Sequence, residues 1–162
     1  MKSFKWILLA SLWLSAGAWL AGCAERTHSA GGAVASGAKP MVNQPDPPEH
    51  AAQTTSNAGT YAVSYITDPT PIPMNEMFAI EFWVRSAERG EPLLDSARVN
   101  VDARMPHHHH GMYRVPLIRH MSGPGHYEAV GMLFHMPGYW EIYFDITHDG
   151  VTERAQFSVE ID

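Results

Sequence analysis

Tyr139-Trp140-Glu141-Ile142-Tyr143-Phe144-Asp145-Ile146-Thr147 is a β-branched and aromatic run, and Arg154 to Ile161 is another. Asp149-Gly150 lies between them and signals a hairpin, because a tight type I′ turn needs positive φ at its central residues. The same texture recurs upstream. Tyr61 to Ile66 alternates and stops at Asp68-Pro69, Phe78 to Val84 follows, and Arg98 to Met105 puts Val99, Val101 and Ala103 on one face. Pro116 to His120 reads as a short edge strand, and Tyr127 to Phe134 completes the set. No window carries a sustained helical period. Seven short strands at this spacing predict an all-β fold, an immunoglobulin-like antiparallel β-sandwich, with a small barrel as the alternative.

At 162 residues the chain is sized for one domain with tails. Lys2 and Lys5 precede an apolar run from Trp6 to Leu20, which ends in Leu20-Ala21-Gly22-Cys23. A positive start, a short apolar run and small residues before the cut describe a secretory signal over residues 1–22. The run is shorter than the roughly 20 residues a membrane-spanning helix needs. Leu-Ala-Gly-Cys resembles the bacterial lipoprotein box, which makes Cys23 the lipidated residue and the membrane its first partner. Each buried CH₂ of an acyl chain contributes about 0.8 kcal/mol to anchoring. Ala24, a residue other than aspartate after the lipid site, points to the outer membrane facing the periplasm. Residues 23–59 contain no Phe, Trp or Tyr and are rich in Ala, Gly, Ser and Pro, so they are expected to form a flexible linker. Residues 60–162 are the expected folded domain.

One cysteine excludes an internal disulfide framework, a CxxC redox pair and a multi-thiolate zinc site. The net charge of −6 provides no basic footprint for nucleic acid. Removal of Lys2 and Lys5 with the signal leaves nine basic residues against seventeen acidic ones, a balance that favours cations.

Seven of the ten histidines and five of the nine methionines lie between Met105 and Met136. The densest stretch is Met105-Pro106-His107-His108-His109-His110-Gly111-Met112. In an extended segment His108, His110 and Met112 point one way and His107 and His109 the other. Gly111 would allow a bend that brings Met112 to the same ion. Imidazole suits several transition metals and thioether selects copper(I), so a His/Met set without a free thiol favours copper, as copper(I). Antiparallel connections reverse the chain, so the first, third and fifth share one pole. They carry Met74 and Met77, then His107 to Met112, then His135 and Met136. His120, Met121, His126 and His148 fall at the other pole, with Ser122. Met132 lies inside a strand and is expected in the core. Asp102 is near the histidines, but no nucleophile elbow, phosphate loop or zinc-protease helix appears, so no catalytic residue is assigned and the protein is not read as an enzyme.

Val101-Asp102-Ala103-Arg104-Met105-Pro106, then His108 and His110-Gly111-Met112, then Gly131-Met132-Leu133-Phe134-His135-Met136-Pro137-Gly138-Tyr139-Trp140-Glu141 resemble the YtkA-like domain, a small bacterial envelope domain related in pattern to FixH proteins. The resemblance covers Tyr61 to Ile161. It implies an immunoglobulin-like fold and, by general association, copper handling or oxidase assembly. Carried over residue by residue, it implies His108, His110, Met112, His135 and Met136 as metal ligands, with His107 and His109 as extras of this chain. FixH relatives carry a membrane-spanning helix that the mature chain would lack, which weighs against a direct assembly role. The expected function is therefore a copper chaperone, buffer or carrier with a copper-receiving or other envelope partner. A non-enzymatic adaptor, using a β-edge or aromatic surface around Tyr139, Trp140 and Tyr143, is the alternative. In that case the histidines would be incidental or would sense pH.

Overall fold

The alternation that predicts the strands also packs them. Val99, Val101, Ala103 and Met105 of one strand and Trp140, Ile142, Phe144 and Ile146 of its neighbour form a continuous buried surface. The computed structural model describes residues 45–93 and 96–162. The expected signal peptide, Cys23 and most of the expected linker lie outside them.

Nine strands occur in order: β1 (Ala52–Thr55), β2 (Tyr61–Asp68), β3 (Met77–Ser86), β4 (Arg98–Met105), β5 (His110–Gly111), β6 (Leu117–His120), β7 (His126–Leu133), β8 (Gly138–His148) and β9 (Val151–Ile161). They form a five-stranded sheet, β1-β2-β3-β7-β6, and a four-stranded sheet, β5-β4-β8-β9, with antiparallel pairing throughout. The sheets pack face to face as the expected all-β sandwich. Tyr65 and Phe82 of the first sheet meet Phe144 of the second, and Tyr65 also meets Phe157 edge-on at 4.5 Å. All seven expected strands are present, and β6 is an edge strand as expected. Asp149, with φ 50°, and Gly150, with φ 79°, form the β8–β9 turn.

Two strands were not expected. β5 is only two residues long, and β1 lies in the stretch assigned to the linker. The linker reading is corrected here: the first sheet begins at Ala52, not after residue 59. Composition failed because β1 buries little and is held by backbone pairing to β2 and by the turn after it. Ser56 Oγ donates to Glu153 at 2.6 Å, and the Tyr61 amide donates to Ser56 Oγ at 3.0 Å. Asn57 and Arg154 exchange hydrogen bonds at 2.8 and 2.9 Å.

β7 contains one residue too many. Ala79 pairs with Val130 but Phe78 pairs with Met132, so Gly131 is unpaired, with φ +87°. This is a β-bulge with glycine in the left-handed region. Its effect is to bury Tyr127 and Ala129 on one side of the bulge and Met132 and Phe134 on the other, which places Met132 in the core as expected.

Two outcomes follow for stability. Gly131→Ala is expected to lower unfolding free energy by about 1–2 kcal/mol, the cost of a side chain at left-handed φ, as read from the urea midpoint. Burial alone would raise the Glu153 carboxyl, but hydrogen bonds from Ser56 and Thr60 hold it below the usual carboxylate range. Its stabilisation is therefore complete above the unfolded-state pKa and is lost as pH falls through the lower folded value. In denaturant melts, Glu153→Gln is expected to flatten stability against pH in that acid window.

Candidate functional site

Past the bulge, Phe134 turns inward and stacks on Trp140, with ring centroids 4.5 Å apart. His135 follows where the chain crosses between sheets. Its ring lies 4.3 Å from that of Tyr113 and 5.6 Å from that of Trp140, which it meets edge-on. Both ring nitrogens of His135 are buried and neither has a hydrogen-bond partner. A neutral imidazole carries one donor and one acceptor, and an unpaired buried polar group costs about 1–3 kcal/mol. Met112 and Met136 are half-buried and pack against the core at the same end. The Trp140 indole donates to the Met136 carbonyl at 3.0 Å and fixes the turn.

The segment before β3 joins this group. Met74 bridges to Phe134, and the Asn75 amide donates to the Phe134 carbonyl at 2.8 Å. Arg114 Nη1 donates to Met77 Sδ at 3.1 Å. The expected pole therefore forms, with Met74 and Met77, Met112, and His135 and Met136 contributed by three connections. His148 bonds to Ser96 at 3.3 Å, and His120 packs on Tyr127, both toward the other end.

The histidine run does not adopt the expected extended form. Met105 pairs with His110, so Pro106 to His109 are a turn, closed by a 3.2 Å bond from the His108 amide to the Met105 carbonyl. His109 sits at φ 54°. The expected alignment of His108 with His110 is thereby broken, since strand alternation does not run through a turn. Gly111 is paired with Arg104 and has no positive φ, so it makes no bend. Met112 continues the ladder, its amide donating to the Ala103 carbonyl at 3.1 Å. His107, His108, His109 and His110 are all exposed. Among the described residues, no three His, Cys, Asp or Glu side chains are close enough to hold a metal ion. The structure brings Met112, His135 and Met136 to one end of the core and leaves His108 and His110 on the hairpin above it.

The other flank of that hairpin lines a groove of about 420 Å³ with Asp102, Arg104 and Tyr143. Asp102 is occupied there: Oδ1 accepts from the Ala103 amide at 2.8 Å and Oδ2 from Arg104 Nε at 3.1 Å. The Tyr143 phenol is pushed up to about 12 by burial, by its hydrogen bond to Glu141 and by that carboxylate's charge. It stays protonated at neutral pH.

Sequence reasoning passed over Tyr113 and Arg114, the residues that cover His135 and Met77. An exposed Tyr-Arg pair between a turn and an edge strand has no periodic signal. Sequence reasoning placed His126 at the other pole but missed its burial and its partners: the residue stacks on Trp83 at 4.8 Å and bonds to Glu81 at 2.7 Å. The signal was a glutamate inside a strand, two residues from a tryptophan. His126 is fully partnered and His135 is not.

The YtkA-like family model matches residues 55–145. No curated protein matches the chain. A solved copper-bound variant of FetP from uropathogenic Escherichia coli is similar at 9% identity and a TM-score of 0.44, covering 68% of this chain and 93% of that one.

The contrast between the two histidines is testable in metal-free protein. His135→Phe is expected to leave stability unchanged or raise it by up to about 1–3 kcal/mol, because it removes unpaired buried nitrogens. His126→Phe is expected to lower it by a similar amount, because Glu81 loses its partner. Chemical denaturation of both variants checks this.

Proposed function

The chain belongs to the YtkA-like family, and from that membership and the pole just described we propose that it is a copper-binding envelope protein, a chaperone, buffer or carrier and not an enzyme. In this reading Cys23 carries the lipid and the chain is held at the outer membrane facing the periplasm. The observation that carries the metal reading is His135, whose two ring nitrogens are buried without partners at the end of the core against which half-buried Met112 and Met136 pack. A ligand nitrogen kept free of competing hydrogen bonds costs stability and is repaid when an ion binds it. One imidazole with two thioethers is a donor set suited to copper(I). His108 and His110 are exposed on a short hairpin and would complete the set by moving onto His135. The acidic balance of the chain supports a cation as cargo.

The adaptor reading has one observation of its own. Met77, Tyr113, Val115 and Leu117 are exposed apolar residues around edge strand β6, and such patches mark interaction surfaces. The aromatic surface first considered for this role is reduced, because Trp140 is fully buried and Tyr143 nearly so.

A titration of the full chain carrying Cys23→Ser, which removes the expected lipid site and any thiol left unlipidated there, separates the readings. With copper(I) under a competing chelator and zinc in parallel, one tight copper(I) equivalent is expected. His135→Phe should weaken it by at least about tenfold. Weak and similar binding of both metals would instead favour the adaptor.

A further inference from the structure

We infer that Met77 is a further thioether ligand for the same ion, and that Tyr113-Arg114 is a strap that closes the site until the ion displaces it. The inference rests on the copper reading above and extends it to residues outside the ligand set so far considered.

The carrying observation is a pair of contacts made by consecutive residues. The Tyr113 ring lies 4.3 Å from the ring of His135, and Arg114 Nη1 donates to Met77 Sδ at 3.1 Å. Neighbouring Cα atoms are about 3.8 Å apart, so one dipeptide spans an imidazole from the β7–β8 connection and a thioether from the start of β3. Met77 opens β3 and pairs with Leu133, the last residue of β7, two residues before His135. The bonds from the 74–75 segment to Phe134 hold the β2–β3 and β7–β8 connections together. A thioether is a weak hydrogen-bond acceptor. Its engagement by a guanidinium keeps a positive charge on the atom a soft cation would use.

The strap is loosely held. Tyr113 is 77% exposed, and Val115 beyond it is exposed too. Met77 is 62% exposed, so its side chain has room to turn toward His135 once Arg114 leaves. Opening the strap exposes the His135 nitrogens and frees the Met77 sulfur in one movement. A site closed part of the time binds with an affinity reduced by the open fraction. Loosening the strap must therefore tighten apparent binding, and removing Met77 must weaken it.

The test uses the full chain with Cys23→Ser and four further variants: Met77→Leu, Tyr113→Ala, Arg114→Gln and His135→Phe. Copper(I) affinity is measured by chelator competition, and release rate by transfer to excess chelator. Met77→Leu is close to isosteric at an exposed position, and thermal melts verify that it folds. It is expected to weaken copper(I) binding by about tenfold or more while zinc binding stays unchanged. Tyr113→Ala and Arg114→Gln are expected to tighten binding several-fold. Unchanged copper(I) affinity in Met77→Leu, with His135→Phe still losing it, overturns the Met77 assignment and leaves the copper reading standing. Weaker or unchanged binding in both strap variants overturns the strap. If the Cys23→Ser parent binds copper(I) no better than zinc, both the inference and the reading beneath it fail.

Discussion

Gly131 faces no residue of β3, and the ladder on either side of it is offset by one position. Strict alternation from Tyr127 and Ala129 would send Gly131, Leu133 and His135 into the core and turn Met132 and Phe134 outward. The extra residue reverses that assignment. Phe134 gains its stack on Trp140, Met132 becomes core, and His135 is delivered to the crossing between the sheets. Only glycine takes φ +87° at little cost. The chemistry at this pole and the packing beneath it therefore depend on one backbone irregularity. Bulges that re-aim side chains are frequent beside functional sites for this reason.

The parts of the fold legible in the sequence were those where burial and period coincide. β4 and β9 alternate cleanly because each buries one face against the opposing sheet, and the Asp149-Gly150 turn states its conformation in its residue types. β1 was illegible because its hydrogen bonds are its main contribution, and backbone pairing leaves no hydrophobic trace. The histidine run was misread for a related reason. Four identical residues have no internal pattern, so nothing in them distinguishes a strand from the turn that Met105 and His110 close. The gathering of Met74, Met77, Met112, His135 and Met136 at one pole was legible, because it follows from counting chain reversals and needs no knowledge of side chains. The covering of His135 by Tyr113 was not, since it depends on where a segment without periodicity comes to rest.

His126 and His135 show what burial does to the same side chain in two settings. Around His126 each ring nitrogen has a polar partner: the ring stacks on a tryptophan, a carboxylate lies 2.7 Å from Nε2 and a carbonyl 3.4 Å from Nδ1. This is the usual fate of a buried polar group. Around His135 the recorded neighbours are the Tyr113 and Trp140 rings, and neither ring nitrogen has a hydrogen-bond partner. A site for a soft cation has reason to look like this. Strong donors or acceptors near the ligand would compete with the ion or favour harder metals, whereas sulfur and aromatic carbon do neither. Local instability is then the expected companion of a binding surface.

The strap adds a kinetic consequence to this arrangement. A protein that only stores an ion gains from ligands packed rigidly in the core. One that passes it on needs donors that are shielded yet quickly exposed. Tyr113 and Arg114 supply shielding through one ring contact and one weak hydrogen bond, on a segment whose neighbours are solvent-exposed. Neither contact buries enough surface to hold the segment strongly, so the closed state is favoured by a small margin and opens on the time scale of loop motion.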